Sequence, residues 1–242
     1  MSFNFDQIHT ALIVGAGHGI GLEISKLLEE RGVKEVIATY RNADKASELL
    51  SSNITALQVD PCEEKEIENL SYQIKSVDLI INCVGMLHNE NIWPEKSLKY
   101  FDQDSFLEIM RVNATVAPLI AKHFEKKLNK QLSAFANISA KIGSIDDNRL
   151  GGWYSYRASK AALNMLVKNI SIEFERNRRN CIVLAIHPGT TDTELSRPFA
   201  EHTSYKIHTP KQTAANILKI IESSRLENSG SFYHWDGSLI KW

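Results

Sequence analysis

The 242-residue sequence predicts an α/β fold: one doubly wound domain of about seven mostly parallel strands, with helices on both faces of the sheet. Short apolar runs alternate with longer amphipathic stretches along the whole chain, as in successive β-α units. Most of these runs are continuously apolar, as strands buried on both faces of a parallel sheet are. No repeat, low-complexity tract or linker interrupts the alternation, which favours a single domain over residues 1–242.

The predicted elements follow one another in the order expected for this fold. Strands are expected where short apolar runs occur, at residues 11–14, 35–40, 55–59, 78–84, 133–138, 181–187 and 231–234. Helices are expected in the amphipathic stretches, at residues 20–31, 43–51, 63–74, 105–128, 154–178 and 210–223. The last helix has the clearest beginning, because Thr209 is a favoured N-cap residue and Pro210 follows it at the first helical position.

Composition excludes several classes of protein. With 43% hydrophobic residues, 24% charged residues and a formal net charge of −1, the chain has no basic excess that would indicate nucleic acid or an anionic membrane as a partner. The apolar runs have the length of strands, and no secretory signal is visible at the N-terminus. Three scattered cysteines favour a reducing, cytoplasmic location, and the histidine spacing predicts no metal site.

A glycine-rich loop follows the first predicted strand, and its glycines fit the spacing Gly-x-x-x-Gly-x-Gly through Gly15, Gly19 and Gly21. Glycines let the backbone turn sharply and approach a pyrophosphate, and the helix that follows directs its N–H groups at that charge. The position between a strand and an amphipathic helix favours a dinucleotide-binding Rossmann fold over a purely structural tight turn. Residue 14, immediately before the first glycine, is a valine, whose side chain can make no hydrogen bond within the loop.

The end of the second strand indicates which dinucleotide binds. An acidic residue there would bind the adenosine ribose and repel a 2′-phosphate, but this chain has Tyr40 followed by Arg41. A guanidinium offers a planar set of donors suited to phosphate. We therefore expect NADP(H) to be preferred, with NAD(H) still possible; the alternative for Arg41 is a solvated surface arginine.

Tyr156 and Lys160 lie four residues apart, which stacks a phenol and an ammonium group on one face of a helix. A lysine cation one turn away favours the phenolate, so we expect a phenol with a lowered pKa that exchanges protons near neutrality. Tyr154 is not the partner of a lysine, because Ala158 lies four residues after it.

These motifs resemble those of the short-chain dehydrogenase/reductase family. The glycine motif matches Gly15, Gly19 and Gly21, the strand-four motif matches residues 82–85, and the Tyr-x-x-x-Lys motif matches Tyr156 and Lys160. Further landmarks occur in the family's order at Asp60, Asn113, Ser139, Pro188 and Gly189. The segment 144–156 and the ending 234–237 are similar to the C-factor and sniffer-like carbonyl reductase branch.

The resemblance implies an oxidoreductase that interconverts a carbonyl and an alcohol. Ser139 would donate a hydrogen bond to the carbonyl oxygen, and Tyr156 would act as acid and base. Lys160 would lower the phenol pKa and bind the nicotinamide ribose, and Asn113 would hold a water in a proton relay. The cofactor-binding residues would be Gly15, Gly19, Ile20, Gly21, Arg41, Asp60, Asn82, Gly85, Tyr156, Lys160, Pro188, Gly189, Thr191 and Thr193.

Several of these roles have local alternatives. Asp60 would meet the adenine ring, but capping the next helix explains it equally well. Asn82 and Gly85 would line the adenosine and nicotinamide-ribose region, and the turn 188–193 would present backbone and hydroxyl groups to the nicotinamide carboxamide.

The substrate pocket is expected between the loops 86–103 and 190–209, above the carboxyl ends of the strands. Their apolar side chains suit a small aldehyde, ketone or alcohol; they are Met86, Leu87, Trp93, Leu195, Phe199 and Tyr205. In resembling proteins the helices that correspond to 105–128 and 154–178 pack against the same helices of a second subunit, so a homodimer or homotetramer is expected. The alternatives are a signalling or sensor protein of C-factor type with little turnover, and an S-adenosylmethionine-dependent methyltransferase, which would need a carboxylate near Arg41.

Overall fold

The computed structural model describes residues 3–52, 54–200 and 206–242, through which a seven-stranded parallel sheet runs. Its strands are β1 Thr10–Val14, β2 Glu35–Tyr40, β3 Thr55–Gln58, β4 Leu79–Asn82, β5 Ser133–Ile138, β6 Cys181–His187 and β9 Ser231–His234. A separate pair consists of β7 Thr190–Thr191 and β8 Ile207–His208. The order β3-β2-β1-β4-β5-β6-β9 confirms the predicted doubly wound fold, and the direction of winding reverses between β1 and β4, where open α/β sheets bind ligands.

The helices confirm most of the predicted stretches. They are α1 Gly19–Glu30, α2 Ser47–Leu50, α3 Glu64–Gln73, α4 Gln103–Ala114, α5 Val116–Phe124, α6 Tyr154–Arg176, α7 Arg197–Ala200 and α8 Pro210–Ser223. The capping box predicted at the start of α8 is present, because Thr209 Oγ1 accepts a hydrogen bond from Gln212 N at 3.2 Å and the Gln212 side chain bonds back.

Two predicted helices are wrong in extent. The stretch 105–128 is divided at Thr115 into α4 and α5, because Pro118 has no N–H to bond the carbonyl of Ala114 and so cannot continue one helix. The stretch 43–51 is helical only over Ser47–Leu50. It begins instead with a turn in which Asn42 Oδ1 accepts from Asp44 N at 2.9 Å.

Both faces of the sheet are covered by apolar side chains. Leu12 and Ile13 of β1 are neighbours in sequence and belong to two separate buried clusters, as alternating strand residues do. The cluster around Ile13 includes side chains of α1 and α8, and the cluster around Leu12 includes side chains of α3, α5 and α6. A strand buried on both faces has no polar side, which explains its continuously apolar sequence.

The helix surfaces away from the sheet carry some apolar side chains. On α4 and α6, Leu107, Met165 and Ile172 are 53%, 62% and 43% exposed. If two copies of the chain associate through these helices, as expected from the sequence, these exposed apolar side chains would be buried between them. Among the described residues, no helix combines the length and the apolar character that crossing a membrane requires.

Candidate active site

The glycine-rich loop after β1 has a backbone that only glycine accommodates. Gly15 and Gly19 have φ angles of 84° and 61°, in the left-handed region. A Cβ atom on Gly21 would lie 2.4 Å from the carbonyl oxygen of Gly15, so no side chain fits where the loop folds back on α1. The start of α1 has no side-chain cap from His18 and no acidic residue in its first turn. The first N–H groups of α1, including that of Ile20, are therefore suited to an anion.

Thr39 stabilises this loop from the neighbouring strand. Its Oγ1 accepts from Gly15 N at 3.1 Å, and its carbonyl oxygen accepts from Ala16 N at 2.7 Å. The hydroxyl thus supplies from β2 the kind of side-chain bond that Val14 cannot make. Thr39 was not among the residues expected in the site; its signal in the sequence is a hydroxyl within the otherwise apolar run of β2, where it is buried.

The end of β2 lies against the loop. A Cβ atom on Gly17 would lie 3.2 Å from Cβ of Tyr40, and the next residue, Arg41, is exposed beyond it. The exposed Arg41 therefore follows directly on the residue that contacts the loop, near which the 2′-phosphate of a dinucleotide was expected. Asp60 is half-buried, and its Oδ1 accepts from Cys62 N at 3.0 Å in the turn before α3. It does not cap α3, as its local alternative expected, because the N-cap residue is Glu63 and no side chain caps that helix.

Asn82 has a different role from the expected one. Its side chain is 1% exposed and is held by Asn137 Oδ1 at 3.2 Å and by Val84 N at 3.1 Å. Its amide supports the end of β4 from inside and is not available to line the adenosine region. Gly85, three residues later, is exposed, and a Cβ atom there would lie 3.4 Å from Nζ of Lys160. Gly85 is therefore the member of the strand-four motif that lies open beside Lys160.

Asn113 holds the loop that follows β4. Its Oδ1 accepts from Met86 N at 2.7 Å, and its Nδ2 donates to Met86 O at 2.8 Å and to Ser159 Oγ at 2.9 Å. These bonds explain why α4 accepts an asparagine in its last turn. The amide connects the Met86 loop with α6, and its suggested part in a water relay stays a prediction.

Tyr156 and Lys160 lie on the buried face of α6, as their spacing predicts. Their side chains are 9% and 3% exposed, whereas Tyr154 is 38% exposed on another face. Lys160 Nζ donates to the carbonyl oxygen of Ile138 at 3.0 Å and lies 5.9 Å from the ring centroid of Tyr156. Ser139 follows Ile138 directly, so the end of β5 brings its hydroxyl to this helix face.

Burial determines the protonation of this pair. It raises the pKa of Tyr156 and lowers the pKa of Lys160 to about 8. Burial thus shifts the pKa of the phenol in the direction opposite to that expected from the lysine cation. The phenol therefore keeps its proton near neutrality, and Lys160 is the group whose proton is easily exchanged.

The turn after β6 reaches across the loop of β1. Gly189 has a φ of 76°, and a Cβ atom there would lie 2.8 Å from Cδ1 of Trp235. Cγ2 of Thr193 lies 3.4 Å from the position of a Cβ atom on Gly19, so Thr193 closes over the start of α1. The Thr191 hydroxyl, by contrast, is buried and bonded to Thr213 Oγ1 at 2.8 Å, which removes it from the residues able to bind a cofactor with a hydroxyl.

A wall of aromatic rings extends from Tyr156 towards solvent. The distance between neighbouring ring centroids is 6.3 Å for Tyr156 and Trp153, 5.0 Å for Trp153 and Phe199, 5.9 Å for Phe199 and Trp93, and 5.1 Å for Trp93 and His88. Phe199 and Trp93 were predicted to line the pocket, and Trp153 and His88 were missed. Trp93 is 57% exposed, so the wall is open at its outer end.

Other predicted lining residues differ from expectation. Leu87 is 4% exposed and therefore belongs to the interior rather than to a pocket surface. Met86 and Leu195 are half-buried beside the site. Tyr205 lies outside the described residues.

Glu95 connects the loop after β4 to the start of α6. Its carbonyl oxygen accepts from Trp153 N at 2.5 Å, and its carboxylate accepts from the Ser155 hydroxyl and from Ser155 N at 3.2 Å. Trp153 has a φ of 52°, which is rare for a bulky residue and persists only where the surroundings hold it. Glu95 thus holds the ring of Trp153 beside Tyr156. Glu95 was not expected in the site, because a glutamate is typical of a surface position.

Comparison with known proteins places these features in a family. A family model described as short chain dehydrogenase matches residues 9–204. The 1-hydroxy-2-glutathionyl-2-methyl-3-butene dehydrogenase of Rhodococcus sp. (strain AD45) is 31% identical over 240 residues, which cover 96% of this chain and 99% of the relative. The C-signal protein of Myxococcus xanthus is 31% identical over 167 residues, covering 69% of this chain and 93% of the relative.

Solved structures share the fold. The carbonyl reductase Sniffer of D. melanogaster superimposes with a TM-score of 0.86 at 23% identity, covering 98% of this chain and 100% of that one. An NADPH-bound carbonyl reductase from chicken fatty liver has a TM-score of 0.86 at 24% identity, covering 97% of this chain and 94% of that one. The similarity of fold extends over nearly the whole of both chains in each comparison.

Proposed function

The chain belongs to the short-chain dehydrogenase family of oxidoreductases, and on that premise we propose that it is an NADP(H)-dependent carbonyl reductase with Tyr156 as proton donor. The proposal rests on one observation above all. A buried phenol that retains its proton lies one helical turn from Lys160 and faces the end of β5, where Ser139 lies. The glycine-rich loop after β1 leads into the uncapped start of α1, whose first N–H groups suit a phosphate-bearing ligand.

The residues present fit a nicotinamide dinucleotide. The loop from Gly15 to Gly21 folds so closely that a Cβ atom on Gly21 would collide with the carbonyl oxygen of Gly15, and the uncapped start of α1 offers its N–H groups to a pyrophosphate. The exposed Gly85 would allow close approach further along the site, and Arg41 would bind a 2′-phosphate. The bound cofactor supplies the hydride that reduces the carbonyl carbon.

The chain's own residues supply the proton. As the carbonyl carbon is reduced, its oxygen gains an electron pair and takes the proton of the Tyr156 hydroxyl, leaving a phenolate. A positive charge on Lys160 stabilises that phenolate. The pKa of Lys160, about 8, lets the lysine exchange a proton near neutrality. The raised pKa of the phenol favours the protonated form needed for reduction.

The aromatic wall supports a substrate with a flat, apolar body. Rings of Trp153, Phe199 and Trp93 continue outward from Tyr156, so an aryl group attached to the carbonyl carbon would lie against them. We therefore propose aromatic aldehydes and ketones of modest size as the substrate class.

A substrate screen that follows NADPH absorbance tests this function. We expect turnover of aryl aldehydes and aryl ketones, and slower turnover of short aliphatic or carboxylated carbonyls, because the outer wall is aromatic and uncharged. The matching alcohols with NADP⁺ are included, since the Rhodococcus relative is named as a dehydrogenase of an alcohol.

A second candidate function is a sensor that binds the cofactor with little turnover. The similarity to the C-signal protein over 69% of the chain favours considering it. NADPH binding measured by fluorescence, together with no consumption of NADPH by any carbonyl or of NADP⁺ by any alcohol, would support the sensor and reject the reductase.

Replacing Arg41 by alanine is expected to weaken NADPH binding about tenfold and to leave NADH binding within about twofold, because only NADPH carries the 2′-phosphate. Fluorescence titration of both cofactors measures this. Arg176→Ala, which removes an exposed arginine at the end of α6, is the matched control. Equal weakening of NADPH and NADH would show that Arg41 does not distinguish them.

A further inference from the structure

Asn164 connects the catalytic helix to Ser139. It lies one helical turn after Lys160 on the same face of α6 and is 3% exposed. Its Oδ1 accepts a hydrogen bond from Ser139 Oγ at 2.6 Å, and Ser139 itself is 2% exposed. The hydroxyl expected to contact the substrate carbonyl is therefore already bonded within the protein.

This bond determines what Ser139 can offer a substrate. A serine hydroxyl has one proton to donate and two lone pairs that accept. With its proton directed to Asn164, Ser139 Oγ presents only lone pairs to the site. A carbonyl oxygen also has only lone pairs, so this arrangement suits the hydroxyl group of an alcohol and not a ketone or aldehyde.

A second observation points to another orientation of the same amide. Nδ2 of Asn164 is buried and has no hydrogen-bond partner among the described residues. An unsatisfied buried donor costs about 1–3 kcal/mol. Rotating the amide by about 180° exchanges its oxygen and nitrogen. Nδ2 then donates to Ser139 Oγ, and the serine proton becomes free for a carbonyl oxygen.

We propose that Asn164 is a positioning residue that sets the direction of the Ser139 hydroxyl, its amide oxygen facing Ser139 when an alcohol is bound and its amide nitrogen when a carbonyl is bound. Asn164 acts only through Ser139 and does not touch the substrate. The inference rests on the proposed interconversion of a carbonyl and an alcohol.

Asn164→Asp tests the proposal, because a carboxylate of the same shape only accepts and holds the Ser139 proton. We expect kcat for ketone reduction to fall about 100-fold, as for loss of a donor to a developing oxyanion. Asn164→Leu removes the amide but leaves the Ser139 proton free, so it should retain more activity than the aspartate variant despite its poorer match in shape and polarity.

Two further readouts separate positioning from general damage. In a Ser139→Ala background, Asn164→Asp should lower kcat less than threefold, because the hydroxyl it acts on is gone. Binding of a ketone in the presence of NADP⁺ should weaken at least tenfold in Asn164→Asp, whereas binding of its alcohol in the presence of NADPH should change less than threefold. Circular dichroism and thermal unfolding establish that each variant is folded.

Each outcome has a separate meaning. A wild-type protein that binds NADPH but turns over no carbonyl or alcohol counts against the proposed function, and with it against any role of Asn164 in that reaction. With an active wild type, an equal loss from Asn164→Asp with and without the Ser139 hydroxyl, or equal weakening of ketone and alcohol binding, overturns the role of Asn164 alone.

Discussion

Tyr156→Phe is expected to lower the rate of carbonyl reduction about 10³-fold while leaving NADPH affinity within about twofold. The substitution removes the only proton donor assigned to the carbonyl oxygen and keeps the ring that fills the buried site beside Trp153. Burial holds the proton on this phenol, so the wild-type group is in the donating form at neutral pH. Steady-state reduction and fluorescence titration of NADPH on the same preparations provide the two measurements.

Tyr154→Phe is the matched control for this prediction. It makes the same change two residues earlier, on a side chain that is 38% exposed and is not followed by a lysine one turn later. We expect its turnover to stay within about twofold of the wild type. Wild-type turnover in Tyr156→Phe, or an equal loss in both variants, would remove Tyr156 from the role of proton donor.

Lys160→Met is expected to lower reduction about 100-fold and, at the same time, to raise the free energy of unfolding at pH 7 by about 2 kcal/mol. The pKa of Lys160 is lowered from 10.5 to about 8 in the folded chain, which corresponds to about 3 kcal/mol of unfavourable burial of its charged form. Methionine removes that cost but loses the hydrogen bond to the carbonyl oxygen of Ile138, which is why the expected gain is smaller.

The difference in unfolding free energy between Lys160→Met and the wild type should decrease as the pH rises. Between about pH 8 and 10.5 the unfolded chain holds the Lys160 proton and the folded chain has released it, so wild-type stability rises with pH in this window. The stability of the methionine variant does not rise in this window, so its higher free energy of unfolding relative to the wild type should disappear by about pH 10. Urea unfolding at pH 7, 8.5 and 10 measures it, with the exposed Lys219→Met on α8 as control. A methionine variant that is less stable than the wild type at pH 7 would contradict a burial cost at Lys160.

The spacing of residues along the sequence was sufficient to predict the parts of the site whose residues lie close together in the chain. The turn from Gly15 to Gly21 and the pairing of Tyr156 with Lys160 each span at most seven residues, and the geometry of a turn or helix relates such residues directly. The division of the helix at Thr115 was also visible in principle, because Pro118 marks it in the sequence.

The errors occurred where distant segments meet. The side chains of Asn82 and Thr191 were expected beside the cofactor, but Asn137, 55 residues from Asn82, and Thr213, 22 residues from Thr191, are bonded to their polar groups. Glu95 is an ordinary acidic residue in sequence and becomes an anchor because Ser155, 60 residues away, is placed against it.

The sequence by itself determined the order of strands and helices, the glycine loop and the identity of the tyrosine and lysine, because apolar periodicity and residue spacing are properties of short segments. Only the tertiary structure decided the direction of the Tyr156 pKa shift and the bond between Ser139 and Asn164. The pKa shift depends on which groups lose contact with water, and the hydrogen bond depends on which groups meet between the end of β5 and α6. Packing between segments that are distant in sequence determines both.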